Sequence, residues 1–114
     1  MSVKLTTRQV GEVTVVDAVG RITLGEGAST FRDTIRELAS HGKKKLLLNL
    51  AEVSYIDSSG IGEMVSGFTS LANQGGALKL LNLTKRVRDL LQITKLYTVF
   101  EVFDDEATAV RSFS

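Results

Sequence analysis

The chain has 114 residues, enough for one domain around a single modest core. Its 14 Lys and Arg balance 13 Asp and Glu to a net charge of +1, which removes a polyanion or nucleic acid as the default partner. It has no Cys and one His, which excludes disulfides, thiolate ligands and thiol chemistry.

No apolar run approaches the ~18 residues of a membrane span, and the opening MSVKLTTRQV lacks the apolar centre of a secretory signal. The expectation is a cytoplasmic protein without membrane insertion, with residues 1–114 as one domain. The dense basic run Lys43–Lys45 leads directly into LLLNL and reads as a solvated turn entering a buried strand.

In chain order, SVKLTTRQV alternates apolar and polar residues, and EVTVVDAVGRI is rich in Val and Ile. Gly11 and Glu12 between them predict a hairpin. GEGAS then opens a helix with Ala28, Phe31, Ile35, Leu38 and Ala39 on one face, closed by Gly42 after His41. KLLLNL is almost wholly apolar, as a strand buried on both faces would be. AEVSYID follows, and a second helix is predicted from about Ser59 to Asn73, with its stripe at Ile61, Met64, Val65, Phe68, Leu71 and Ala72.

ALKLLNL reads as the next strand. Thr84 is placed to cap a third helix, with Val87, Leu90, Leu91 and Thr94 on one face. VFEVF reads as a last short strand. Asp104 or Asp105 is placed to cap a final helix carrying Ala107, Val110 and Phe113. The order is an opening β-hairpin followed by alternating helices and strands, the pattern of an α/β domain with a mixed, mostly parallel sheet and about four helices. In such sheets, function gathers at the carboxyl ends of the strands. Two loops there, GRITLGEG and YIDSSGIG, are expected to be neighbours.

YIDSSGIG places two hydroxyls on a strand-to-helix turn. A serine hydrolase would need a base beside them, but His41 lies where a helix returns to a strand, at the other edge of the sheet. The stretch also departs from the G-x-S-x-G nucleophile elbow. One His, no Cys and no acidic cluster of ligand spacing give no metal site. Gly25-Glu-Gly27 and Gly60-Ile-Gly62 precede helices without the third glycine of a dinucleotide loop, and no G-K-[ST] exists, so no cofactor is expected. Asp57 could serve as the acceptor of a receiver domain, but the first strand has no acid to hold the Mg²⁺ that phosphoryl transfer to it needs. Capping requires only one serine. Ser59 is read as the cap, Ile61 as pointing inward, and Gly60 and Gly62 as keeping the first turn open to a partner's backbone.

LNLAEVSYIDSSGIGEMV resembles the signature of STAS domains, most closely that of the small bacterial anti-sigma-factor antagonists. The hairpin, the G-R-I loop, ALKLLNL and the run from VRDLLQ to FDDEATA fall in the family's order, so the resemblance spans nearly the whole chain. It implies a STAS fold and a non-catalytic partner switch. The unphosphorylated form would bind an anti-sigma factor that is also a serine kinase, freeing a sigma factor. That kinase would phosphorylate the serine after the Asp, here Ser58 with Ser59 as second choice, and a phosphoserine phosphatase would reset it.

The partner-contact set is then Thr23, Glu26, Asp57, Ser58, Ser59, Gly60, Ile61 and Gly62. Many members carry an acid where this chain has Thr23, and Glu26 supplies charge nearby. A non-regulatory STAS subunit of a lipid-transport or stress-sensing assembly is the other role this fold serves.

Overall fold

A computed structural model describes residues 3–114. The hairpin is formed by β1 (Val3–Val10) and β2 (Val13–Ile22), antiparallel, with Gly11 at φ 61° in the turn between them. Then come α1 (Glu26–Ser40), β3 (Lys45–Ile56), α2 (Ser58–Asn73), β4 (Ala77–Leu81), α3 (Lys85–Ile93), a 3-10 turn (Leu96–Thr98), β5 (Val102–Phe103) and α4 (Glu106–Arg111). The sheet has five strands in the order β1-β2-β3-β4-β5, and every pair after the hairpin is parallel. This is the predicted mixed α/β architecture.

Period-two alternation divides the strands between two faces. Leu46, Leu48 and Leu50 of β3 join Leu78 and Leu80 of β4 in the main core, with Phe31 and Ile35 of α1, Met64 and Leu71 of α2, and Val87 and Leu91 of α3. Leu47 and Leu81 point the other way, into a small cluster with Val13, Val15 and Ala109 of α4. The helical stripes read from periodicity point inward, except that Ala72 and Thr94 are exposed at the ends of theirs. Thr84 caps α3, accepting from the Val87 N–H at 3.3 Å, as its position predicts.

Four local expectations are corrected. α2 begins at Ser58, and its cap is Asp57 rather than Ser59. β3 does not stop at KLLLNL but continues through AEVSYI to Ile56, because two register shifts let this irregular stretch stay paired with β2. VFEVF contracts to Val102–Phe103, which pair in parallel with Leu80 and Leu81 at the end of β4. Asp105, one of the two caps expected, caps α4, but the helix ends at Arg111, so Phe113 lies beyond it and packs with Ala109 and Val110, while Ala107 is exposed.

Candidate functional site

The carboxyl ends of β2 and β3 lie side by side, with Ile22 paired to Ile56. That register makes neighbours of the two loops that follow, as expected from the strand order. Asp57 joins them. Its Oδ1 accepts from the Gly60 N–H at 2.9 Å and caps α2, and its Oδ2 accepts from the Leu24 N–H at 2.8 Å across the gap. Partial burial raises the Asp57 carboxyl, but backbone N–H donors, Leu24 first and then Gly60, outweigh that effect and hold it below its ordinary value. Asp57 is therefore a fixed anion at neutral pH, committed to backbone donors.

Because Asp57 takes the capping role, neither serine is needed for it. Ser58 is exposed as the first residue of α2, and Ser59 is half-buried behind it. Ile61 points into the core, 6% exposed, as its periodicity predicts.

The two glycines of the turn differ. Gly62 has nothing within 4 Å of where a Cβ would stand, so it leaves the surface open as expected. Gly60 is buried, and a Cβ there would collide with the Ile22 carbonyl oxygen and lie 2.8 Å from the Ile56 Cγ2. Its bareness serves close packing of helix on strand, a correction to the reading that it keeps the turn open to a partner. Gly27 in the first turn of α1 does the same, since a Cβ there would stand 2.6 Å from the Arg21 carbonyl oxygen. Both helices are thus seated against consecutive carbonyls at the end of β2.

In the neighbouring loop, Thr23 is half-buried and its carbonyl accepts from the Ala28 N–H at 2.8 Å. Glu26 is exposed as the first residue of α1. The predicted contact residues therefore share one end of the sheet, with Gly60 and Ile61 lying beneath its surface. Sequence reasoning passed over Leu24, which is 79% exposed beside Asp57. A large apolar residue between turn-forming neighbours was the available signal.

His41 follows the last turn of α1, with Nδ1 2.8 Å from the Glu37 carbonyl oxygen. The full length of β3 separates it from Ser58. Among the described residues, no group of three or more His, Cys, Asp or Glu is arranged to hold a metal, and no helix is long and apolar enough to cross a membrane.

An anti-sigma-B factor antagonist of Bacillus subtilis (strain 168) is 33% identical over 102 residues, covering 90% of this chain and 92% of that one. An anti-sigma factor antagonist from Mycobacterium paratuberculosis matches in structure with a TM-score of 0.84 at 16% identity, over 98% of this chain and 94% of that one. The phosphorylated form of the Bacillus cell fate determinant SpoIIAA matches with a TM-score of 0.75 at 21% identity, over 97% and 100%. At those identities the structural likenesses establish the fold alone. The STAS domain family model matches residues 4–109, and the chain belongs to that family.

Proposed function

We propose that this protein is an anti-sigma-factor antagonist that works by partner switching, with Ser58 as the modified residue. The observation that carries the reading is the division of labour in the Asp57–Ser58 turn. Asp57 builds the helix start, and Ser58 is left exposed with no structural duty there. The family membership and the name of the Bacillus subtilis relative support the regulatory role.

In this reading the unphosphorylated protein docks on an anti-sigma factor with serine-kinase activity through the loop surface around Ser58, and a sigma factor is released. Leu24 adds an exposed apolar anchor to that surface. The kinase then transfers the γ-phosphoryl of ATP to the Ser58 Oγ, with ADP leaving and the hydroxyl proton passing to a base of the kinase. A phosphoserine phosphatase hydrolyses the ester and resets the switch. The protein itself contributes no catalytic group, and the cycle runs in the cytoplasm.

The phosphate acts at the interface rather than on the fold. It adds about −1.5 to −2 charge at neutral pH. At the first residue of a helix the dipole tolerates an anion, by ~0.3–1 kcal/mol. Against a desolvated partner surface, with the fixed Asp57 anion beside it, the same charge is uncompensated. A loss of about 2.8 kcal/mol there is already a hundredfold in affinity.

Incubation with the cognate kinase and ATP, followed by mapping, is expected to place phosphate on Ser58. Phosphate on Asp57, or on neither residue, would defeat the reading. Ser58→Asp is expected to weaken anti-sigma binding about a hundredfold or more while leaving the thermal melt nearly unchanged. Wild-type affinity in that variant would overturn the electrostatic account.

A further inference from the structure

The pairing of β3 with β4 ends at Asn49, but β3 runs on to Ile56. Residues 50–56 therefore form a ledge that is strand-paired only on its β2 side, with α3 packed beside its other edge. On this ledge Arg21 of β2 is in register with Tyr55 of β3, and the Arg86 guanidinium of α3 lies 5.5 Å from the centre of the Tyr55 ring. Arg21, Ser54, Tyr55 and Arg86 line a cleft of about 510 Å³. A second hollow, of about 500 Å³, continues from Tyr55 and Arg86 along α3 past Leu90 to Ile93.

The chemistry of this groove is lopsided, although the chain as a whole is nearly neutral. Among the described residues, neither Arg21 nor Arg86 has a carboxylate within ion-pairing distance. The carboxylate in the lining, Asp89, is held by Lys85 at 3.0 Å. One half of the groove thus offers two guanidiniums without carboxylate partners, beside the Tyr55 ring. The other half offers apolar surface, with Ile93 78% exposed.

We infer that the groove between the β3 ledge and α3 is a docking site for a protein segment in which acidic residues are followed by large apolar ones. The acidic residues meet Arg21 and Arg86, and the apolar ones lie against Leu90 and Ile93. Guanidinium forks match carboxylates well, and unpaired arginines at a surface steer an acidic partner as well as hold it. The apolar half argues for a peptide over a small anion, which would leave that half bare. The site does not depend on Ser58 being modified, so it stands or falls separately from the switch.

The test is an amide NMR titration of the isotope-labelled full chain with a synthetic peptide of glutamates followed by leucines. Shifts are expected at Arg21, Ser54, Tyr55, Arg86 and Ile93, fading as salt screens the contact. The double variant Arg21→Glu, Arg86→Glu is expected to weaken binding about tenfold or more. Lys43→Glu, at an exposed cation outside the groove, is expected to bind as wild type. The inference is overturned if the double variant binds as wild type, if Lys43→Glu weakens binding equally, or if a lysine-for-glutamate peptide binds equally well. Shifts confined to other surfaces, or displacement of the peptide by ATP, which would make the cleft a nucleotide site, overturn it too.

Discussion

The two faces of the sheet are held in different ways. On one, α1, α2 and α3 bury a continuous apolar core that includes Phe31, Leu48, Met64 and Leu91, each fully buried. On the other, the six-residue α4 covers a small cluster, and cations fasten both its ends. Arg8 of β1 grips Glu106 in the first turn at 2.6 and 2.9 Å, and Asp17 of β2 at 2.7 and 3.2 Å. Lys79, buried on β4, donates to the Ser112 carbonyl at 2.9 Å and lies 4.6 Å from the centre of the Phe113 ring.

One face is stabilised chiefly by area and volume, with the Asp57 carboxylate capping α2 at its rim. The other depends more on directional charge, which salt screens and acid removes. The Ser58 turn is built on the first face. The modification proposed for Ser58 would sit on a helix start packed against that core, which suits a switch that changes binding without changing shape.

Phe31→Ala should separate the faces most strongly. It removes a fully buried ring from the main core and is expected to cost about 3–5 kcal/mol in urea unfolding. Gly60→Ala comes next, because its new Cβ meets backbone at Ile22 rather than a yielding side chain. A loss of about 1–3 kcal/mol is expected from overpacking, with displacement of the Ser58 turn visible in amide shifts. If Gly60→Ala were neutral, the seating of α2 on β2 would not be what fixes the turn.

Arg8→Met should act locally. It leaves Asp17 and Glu106 without their shared cation, and the partly exposed network is expected to be worth about 1 kcal/mol or less. Amide exchange should quicken in α4 while α1 and α2 keep their protection. Acid should loosen α4 too, and α2 only at its first turn, where protonation of Asp57 removes the cap. Hydrogen bonds from Arg8 hold Asp17 and Glu106 below their ordinary values of 3.8 and 4.5. Their stabilisation is therefore complete above those values and is lost as pH falls through them toward the lower folded ones. Uniform loosening of all four helices in mild acid would contradict the division between faces. Smallest of all, Ser59→Ala should shift stability by no more than about 0.5 kcal/mol, since Asp57 is the cap.

The fold was largely legible because its elements announce themselves locally. The helical stripes have clean periods, Gly11 and Gly42 stand at turns, and Thr84 lies where the cap of α3 belongs. The site was legible in its location and less so in its details. Asp57 stands three residues before the N–H it caps, the spacing a cap requires, yet two adjacent serines drew attention away from it. The role of Gly60 depends on Ile22, 38 positions earlier, and nothing local to the turn records that contact. Likewise Arg8 and Glu106 are 98 residues apart, and the cleft at Tyr55 draws its lining from three separate segments.

The two oxygens of Asp57 give the site a mechanical property. One holds the start of α2 and the other holds the tip of the β2–α1 loop, so a single carboxylate acts as a rivet between two parts of the chain. Any displacement of the Leu24 backbone would therefore act on the same carboxylate that frames Ser58.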